Sequence, residues 1–163
     1  MTDLSSYSDA WIKNLLKNHE DRGATTAPAY LAATEEQARR AYAKNKLSVD
    51  KSLVALRTAA KEQRCITYGE LAAASHVPWT AARRAMDGPN GHLDQLLRIC
   101  HGRGWPLITA LCVSQPDVAA GKLTGAALDG FCAGAKRLGH KVDDPELFHA
   151  QQRDSSWTWG ESL

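Results

Sequence analysis

The sequence predicts a mainly α-helical fold with a short β-sheet (α+β), organised around a helix-turn-helix. Three observations carry this. Residues 65–103, CITYGELAAASHVPWTAARRAMDGPNGHLDQLLRICHGR, place two short helical segments on either side of His76, Val77 and Pro78, with a third, amphipathic helix behind them. Helix-start signals recur along the chain, whereas only Cys65-Ile66 and LITALCV read as strands. A chain of 163 residues with 44% hydrophobic and 23% charged residues buries a real core and is most simply one domain with extensions.

Ser8 or Asp9 caps a first helix running to about Glu20, whose Trp11, Ile12, Leu15 and Leu16 share one face. Residues 21–33, with Gly23, Pro28 and a Thr pair, read as a linker, so residues 1–33 are expected to form an arm and residues 34–163 the globular domain. Thr34 and Gln37 form a capping box that opens an exposed helix carrying Arg39 and Arg40. Ser48 starts the next, with Val49, Leu53, Leu56 and Ala60 on its apolar stripe. Thr67 and Glu70 make a second capping box for YGELAAAS, and Pro78 sets up WTAARRAMD, where Trp79 is expected as a core or staple residue. HLDQLLRICHGR repeats Leu93, Leu96, Leu97 and Cys100 at helical spacing, and LITALCV, bounded by turn residues, reads as a buried strand. A helix from Ala126 to about Leu138 carries Gly130 and Gly134 four apart, the spacing of close helix packing. Asp143 or Asp144 with Pro145 starts a last helix, and Trp157 and Trp159 are expected to dock the tail on the core.

The formal charge of +2 announces no nucleic-acid binder by itself, so the distribution matters. Residues 1–63 carry ten Lys/Arg against eight Asp/Glu, residues 64–105 five against three, and residues 106–163 five against seven. All five cations of the middle segment are arginines, the better donors to phosphates and base edges. Cys65, Cys100, Cys112 and Cys132 form no CxxC pair, which points to buried thiols in a reducing compartment. MTDLSSYSDAW lacks a basic n-region and an apolar h-region, and no apolar run reaches the length of a membrane span, so a cytoplasmic protein with no membrane contact is expected. His92, His101, His140 and His149 match no paired metal-ligand spacing, and no phosphate-binding glycine motif occurs; neither a metal nor a cofactor is predicted. Asp143, Asp144 and Glu146 are explained by helix capping.

The function these residues point to is non-catalytic binding of double-stranded DNA by a helix-turn-helix or winged-helix surface. A recognition helix enters a groove with its N-terminal half, so it tolerates small residues such as Ala81 and Ala82 and needs donors such as Thr80, Arg83 and Arg84 on its outer side. Tyr68 and the N-terminus of its helix are candidates to hold a phosphate, with Arg39 and Arg40 adding backbone contacts.

The string ITYGELA, then AARRAM, then a Gly- and Asn-bearing turn, then a Cys-His pair, resembles the C-terminal winged-helix domain of the O6-alkylguanine-DNA alkyltransferases and alkyltransferase-like proteins, over about 40 of the 163 residues. The resemblance implies a winged helix-turn-helix core with added N- and C-terminal helices. It also implies a phosphate contact from Tyr68, insertion of Arg84 in place of a flipped base, and Cys100 with His101 at the position of the alkyl-accepting centre. Ile99 and Gly102 stand where the family has proline and arginine, and Cys100 falls on the apolar stripe of its helix, whereas an alkyl acceptor needs an exposed thiolate. Recognition of damaged bases without catalysis needs only Tyr68 and Arg84. An alternative of a different class is a protein-interaction module, an adaptor or counter-defence protein of bacterial or phage type, that offers Trp79, Trp105 and the tail tryptophans to a protein partner.

Overall fold

The computed structural model describes residues 2–163. Eight α-helices follow in order: α1 (Asp9–Asp21), α2 (Pro28–Asn45), α3 (Val49–Lys61), α4 (Tyr68–Ala74), α5 (Trp79–Met86), α6 (His92–Gly102), α7 (Gly125–Arg137) and α8 (Pro145–Gly160). The sheet has two strands of two residues, β1 (Ile66–Thr67) and β2 (Cys112–Val113), parallel, with Ile66 opposite Cys112 and Thr67 opposite Val113. No described helix is long and apolar enough to cross a membrane.

α3 lies at the centre, packed against α4, α6, α8 and the turn that precedes β2. Leu53, Leu56 and Ala60 of its expected stripe are buried, together with Ala59, and Val49 is half-buried against the same core. The C-terminal tryptophans do dock. Trp157 Nε1 donates to the Arg64 carbonyl at 3.1 Å, the Trp159 ring lies 5.0 Å from that of Trp105, and Gly160 sits so close to the Ala60 backbone that a Cβ there would collide with it. Of the two glycines in α7, only Gly134 makes the expected close approach, to Leu97 and Asp94 of α6; Gly130 opens onto free space.

Four expectations are corrected. Residues 1–33 are not a detached arm: Leu4, Ile12, Leu16, Tyr30 and Ala33 belong to the buried core, and α1 packs along α2. The linker reading fails because Pro28 occupies the first turn of α2, where its missing N–H costs nothing, and the alanine-rich segment behind it continues as helix. Thr34 is accordingly no cap; its buried hydroxyl donates to the Tyr30 carbonyl one turn back. LITALCV is a strand only at Cys112–Val113. β1 offers two residues of pairing, so Ile108–Leu111 satisfy their backbone in a 3₁₀ turn, and the Ala110 carbonyl takes a hydrogen bond with His149 Nε2 at 2.8 Å. The wing is absent among the described residues, because β1 and β2 are parallel and form no antiparallel hairpin.

Several helices end in the same way, with a left-handed residue after the last turn and a return hydrogen bond to the carbonyl three residues from the helix end. In α4 that residue is His76, at φ 58°, with Val77 N donating to Ala72 O. A non-glycine residue there is strained by its Cβ, so His76→Gly is expected to raise the unfolding free energy by about 1 kcal/mol. Urea denaturation of the two proteins measures it, and a loss of stability would contradict it.

Candidate nucleic-acid interface

The α4–α5 pair is built by local chemistry. Thr67 Oγ1 accepts from Glu70 N at 3.1 Å while the Glu70 carboxylate accepts from Thr67 N at 2.7 Å, the reciprocal box the sequence predicts. These bonds engage the amides of Thr67 and Glu70 and fix the first turn of α4, a helix of seven residues. After the His76 turn, the Pro78 carbonyl accepts from Ala81 N and Ala82 N and starts α5.

α5 buries Ala82 and Met86 and turns Thr80, Ala81, Arg83 and Arg84 outward. At 100° per residue, Thr80 and Arg84 form its outermost ridge, and Trp79 and Arg83 share the flank beside it. Among the described residues, no hydrogen-bond or ion-pair partner reaches Arg83 or Arg84.

Tyr68 packs against the start of α5. Its ring stacks on Trp79 with centroids 5.9 Å apart and planes 19° apart, tying the start of α4 to the start of α5. The side chain is half-buried, and burial raises its hydroxyl above the usual phenol range. It borders a cavity of about 420 Å³ that also reaches Asp87, Thr109, Cys112, Gly130 and Phe131. Sequence reading missed this cavity, because its walls come from four separated stretches of chain and share no motif. Trp79 is 37% exposed and stacked on Tyr68, a rim residue and not the core or staple residue expected.

Arg39 and Arg40 are held in ion pairs within the chain, Arg39 at the surface with 63% of its side chain exposed. Arg39 forks onto Glu36 at 2.8 and 2.7 Å. Arg40 bonds Glu36 at 2.6 Å, Asp9 at 2.7 Å and the Tyr7 carbonyl at 2.8 Å, which fastens the N-terminal segment to α2. The hydrogen bonds from Arg39 and Arg40 hold the Glu36 carboxyl down to about 2. The structure therefore gathers Thr80, Arg83 and Arg84 on one helix with Tyr68 at its edge, and places Arg39 and Arg40 on α2, paired with Glu36 and Asp9.

Cys100 is fully buried and burial pushes its thiol up to about 12, so at neutral pH it is an unreactive thiol. All four cysteines are buried and unpaired. His101 does not activate Cys100; it faces Thr25 and His140. His92 bonds Ser52, and His149 the Ala110 carbonyl. Among the described residues, no group of three or more His, Cys, Asp or Glu is placed to hold a metal ion. No family model, curated protein or solved structure matches the chain.

Proposed function

We propose that the protein binds double-stranded DNA without catalysis, with α5 as the helix presented to the groove. The observation that carries this reading is the free state of Arg83 and Arg84. Arg39, Arg40, Arg64, Arg98, Arg137 and Arg153 each meet a carboxylate of the chain and Arg57 and Arg103 lie over the Trp105 ring, whereas these two stand exposed side by side on α5 with no carboxylate partner among the described residues, as does Arg22 elsewhere. Unpaired guanidinium groups beside Thr80 and the small Ala81, on a helix that also exposes Trp79, suit a polyanion that also offers base-edge acceptors. The Tyr68–Trp79 stack fixes the angle at which α5 leaves the turn, and the buried Ala82 and Met86 hold it on the body.

Fluorescence anisotropy with a labelled duplex at several salt concentrations tests this. Arg83→Ala/Arg84→Ala is expected to weaken binding at least about tenfold and to lower the slope of log K against log salt by about 1.8, two phosphate contacts at about 0.9 each. Unchanged affinity and slope would overturn the reading. A duplex carrying O6-methylguanine tests the damaged-base variant of it; that variant requires preferential binding lost in Arg84→Ala.

One observation favours the second class of reading, a protein-interaction module. Trp79 and Tyr68 present a partly exposed aromatic stack at the same edge, of a kind enriched at protein interfaces. Under that reading no duplex binds at low salt, and Trp79→Ala, not the arginine pair, abolishes association with the partner.

A further inference from the structure

The four histidines that share no ligand spacing in sequence are not equivalent in space. His101 Nδ1 and His140 Nε2 face each other at 3.3 Å, with the rings nearly perpendicular at 73°. We propose that His101 and His140 form a two-histidine site for a borderline divalent transition-metal ion of the Zn²⁺ or Ni²⁺ kind, with water completing its coordination. This inference is independent of DNA binding.

The spacing is the first argument. Two imidazole nitrogens bound at about 2.0–2.1 Å to a tetrahedral ion stand about 3.3–3.4 Å apart. The observed separation of 3.3 Å matches that edge, and it also lies within hydrogen-bond reach, so the pair is held together before any ion arrives. The ring beside it is already oriented: Thr25 Oγ1, itself buried, lies 2.8 Å from His101 Nε2. With Nε2–H donating to that hydroxyl, the lone pair of Nδ1 points at His140, the arrangement by which a supporting group fixes the tautomer of a metal-binding histidine. His140 needs only to carry its proton on Nδ1 for its Nε2 to face the same point, so the neutral pair takes up the ion without losing a proton.

The second argument is the setting. His101 lies in the last turn of α6, and His140 follows the turn that closes α7, its backbone N–H bonded to the Ala135 carbonyl. The C-terminal ends of two helices thus meet at the pair, and their carbonyls favour a cation. Phe148 packs at 6.0 Å against one side of His140, while both histidines keep part of their surface in solvent, which leaves room for water ligands. Thr25, His101 and His140 come from three stretches of chain, so a bound ion clamps the turn after α1 to the ends of α6 and α7.

The test is titration of the metal-stripped full-length chain with Zn²⁺, followed by calorimetry and by competition with a fluorescent zinc indicator. One ion per chain is expected to bind with a dissociation constant below about 100 µM. His101→Ala and His140→Asn should each weaken it at least about tenfold, and Thr25→Val by about tenfold. His76→Ala, at an exposed histidine outside the pair, should leave it unchanged. Should the histidine variants unfold, proton NMR of the wild-type chain with Ni²⁺ gives a separate reading, in which the ring signals of His101 and His140 broaden before those of the other four. Absence of saturable 1:1 binding, or equal broadening of all six histidines, would overturn the proposal and leave a hydrogen-bonded pair only.

Discussion

Replacing Arg98 by methionine is expected to lower the unfolding free energy by about 3–5 kcal/mol, because it strands a buried carboxylate. Arg98 and Glu20 side chains are each 6% exposed and paired at 2.8 Å. The same Glu20 oxygen accepts from the Tyr30 hydroxyl at 2.9 Å, and Arg98 also donates to Gln37 at 3.1 Å and Asn90 at 3.0 Å. One side chain on α6 thereby ties α1, α2 and the turn after α5. Removing Glu20 as well relieves the uncompensated charge, so Glu20→Gln/Arg98→Met should recover much of the loss, and urea denaturation of the two singles and the double gives the coupling. A cost below about 1 kcal/mol for Arg98→Met would show that the pair is not an integral part of the core. The network also reaches the proposed DNA-binding surface. Asn90, at φ 62°, takes bonds from Arg98 and Gln37 on its side chain and from Gln95 on its carbonyl, so the turn at the end of α5 depends on it.

Acidification from pH 7.5 to 5 is expected to cost about 2 kcal/mol through His92 alone, rising to about 3 kcal/mol near pH 4. His92 is 1% exposed and bonded through Nε2 to the buried Ser52 hydroxyl at 2.7 Å, and burial lowers its pKa from 6.5 to about 4. The unfolded chain therefore takes up a proton that the folded chain refuses. The stabilisation is complete above pH 6.5 and is lost as pH falls towards the folded value. His101, His140 and His149 are lowered in the same direction by burial and add to the trend. Urea midpoints at pH 7.5, 6 and 5 measure it, above the range in which most carboxylates protonate. A His92→Leu variant should show a visibly flatter pH dependence; an equally steep one would assign the effect to other groups.

Both sites lie where sequence reading had least to work with. His92 and Arg98 sit on α6 among residues whose apolar periodicity was legible, yet both polar side chains are buried because Ser52 and Glu20, 40 and 78 residues away, meet them. The capping box at Thr67 was legible because all its partners lie within three residues. Arg39 and Arg40 are the complementary case. Two adjacent arginines on a polar helix look free in sequence, but Glu36 is one turn back and Asp9 arrives from α1.

Capping, turn residues and helical periodicity act over a few positions, and they suffice for the helical class, the α4–α5 pair and the outward placement of Thr80, Arg83 and Arg84. That the first 33 residues join the core and that the strand shrinks to two residues follows from long-range packing alone. So does the choice of which arginines remain unpaired and of the two histidines, among six, that face each other. Each of those outcomes depends on which distant group reaches a buried charge or an unpaired backbone amide, and local propensity does not encode that distance.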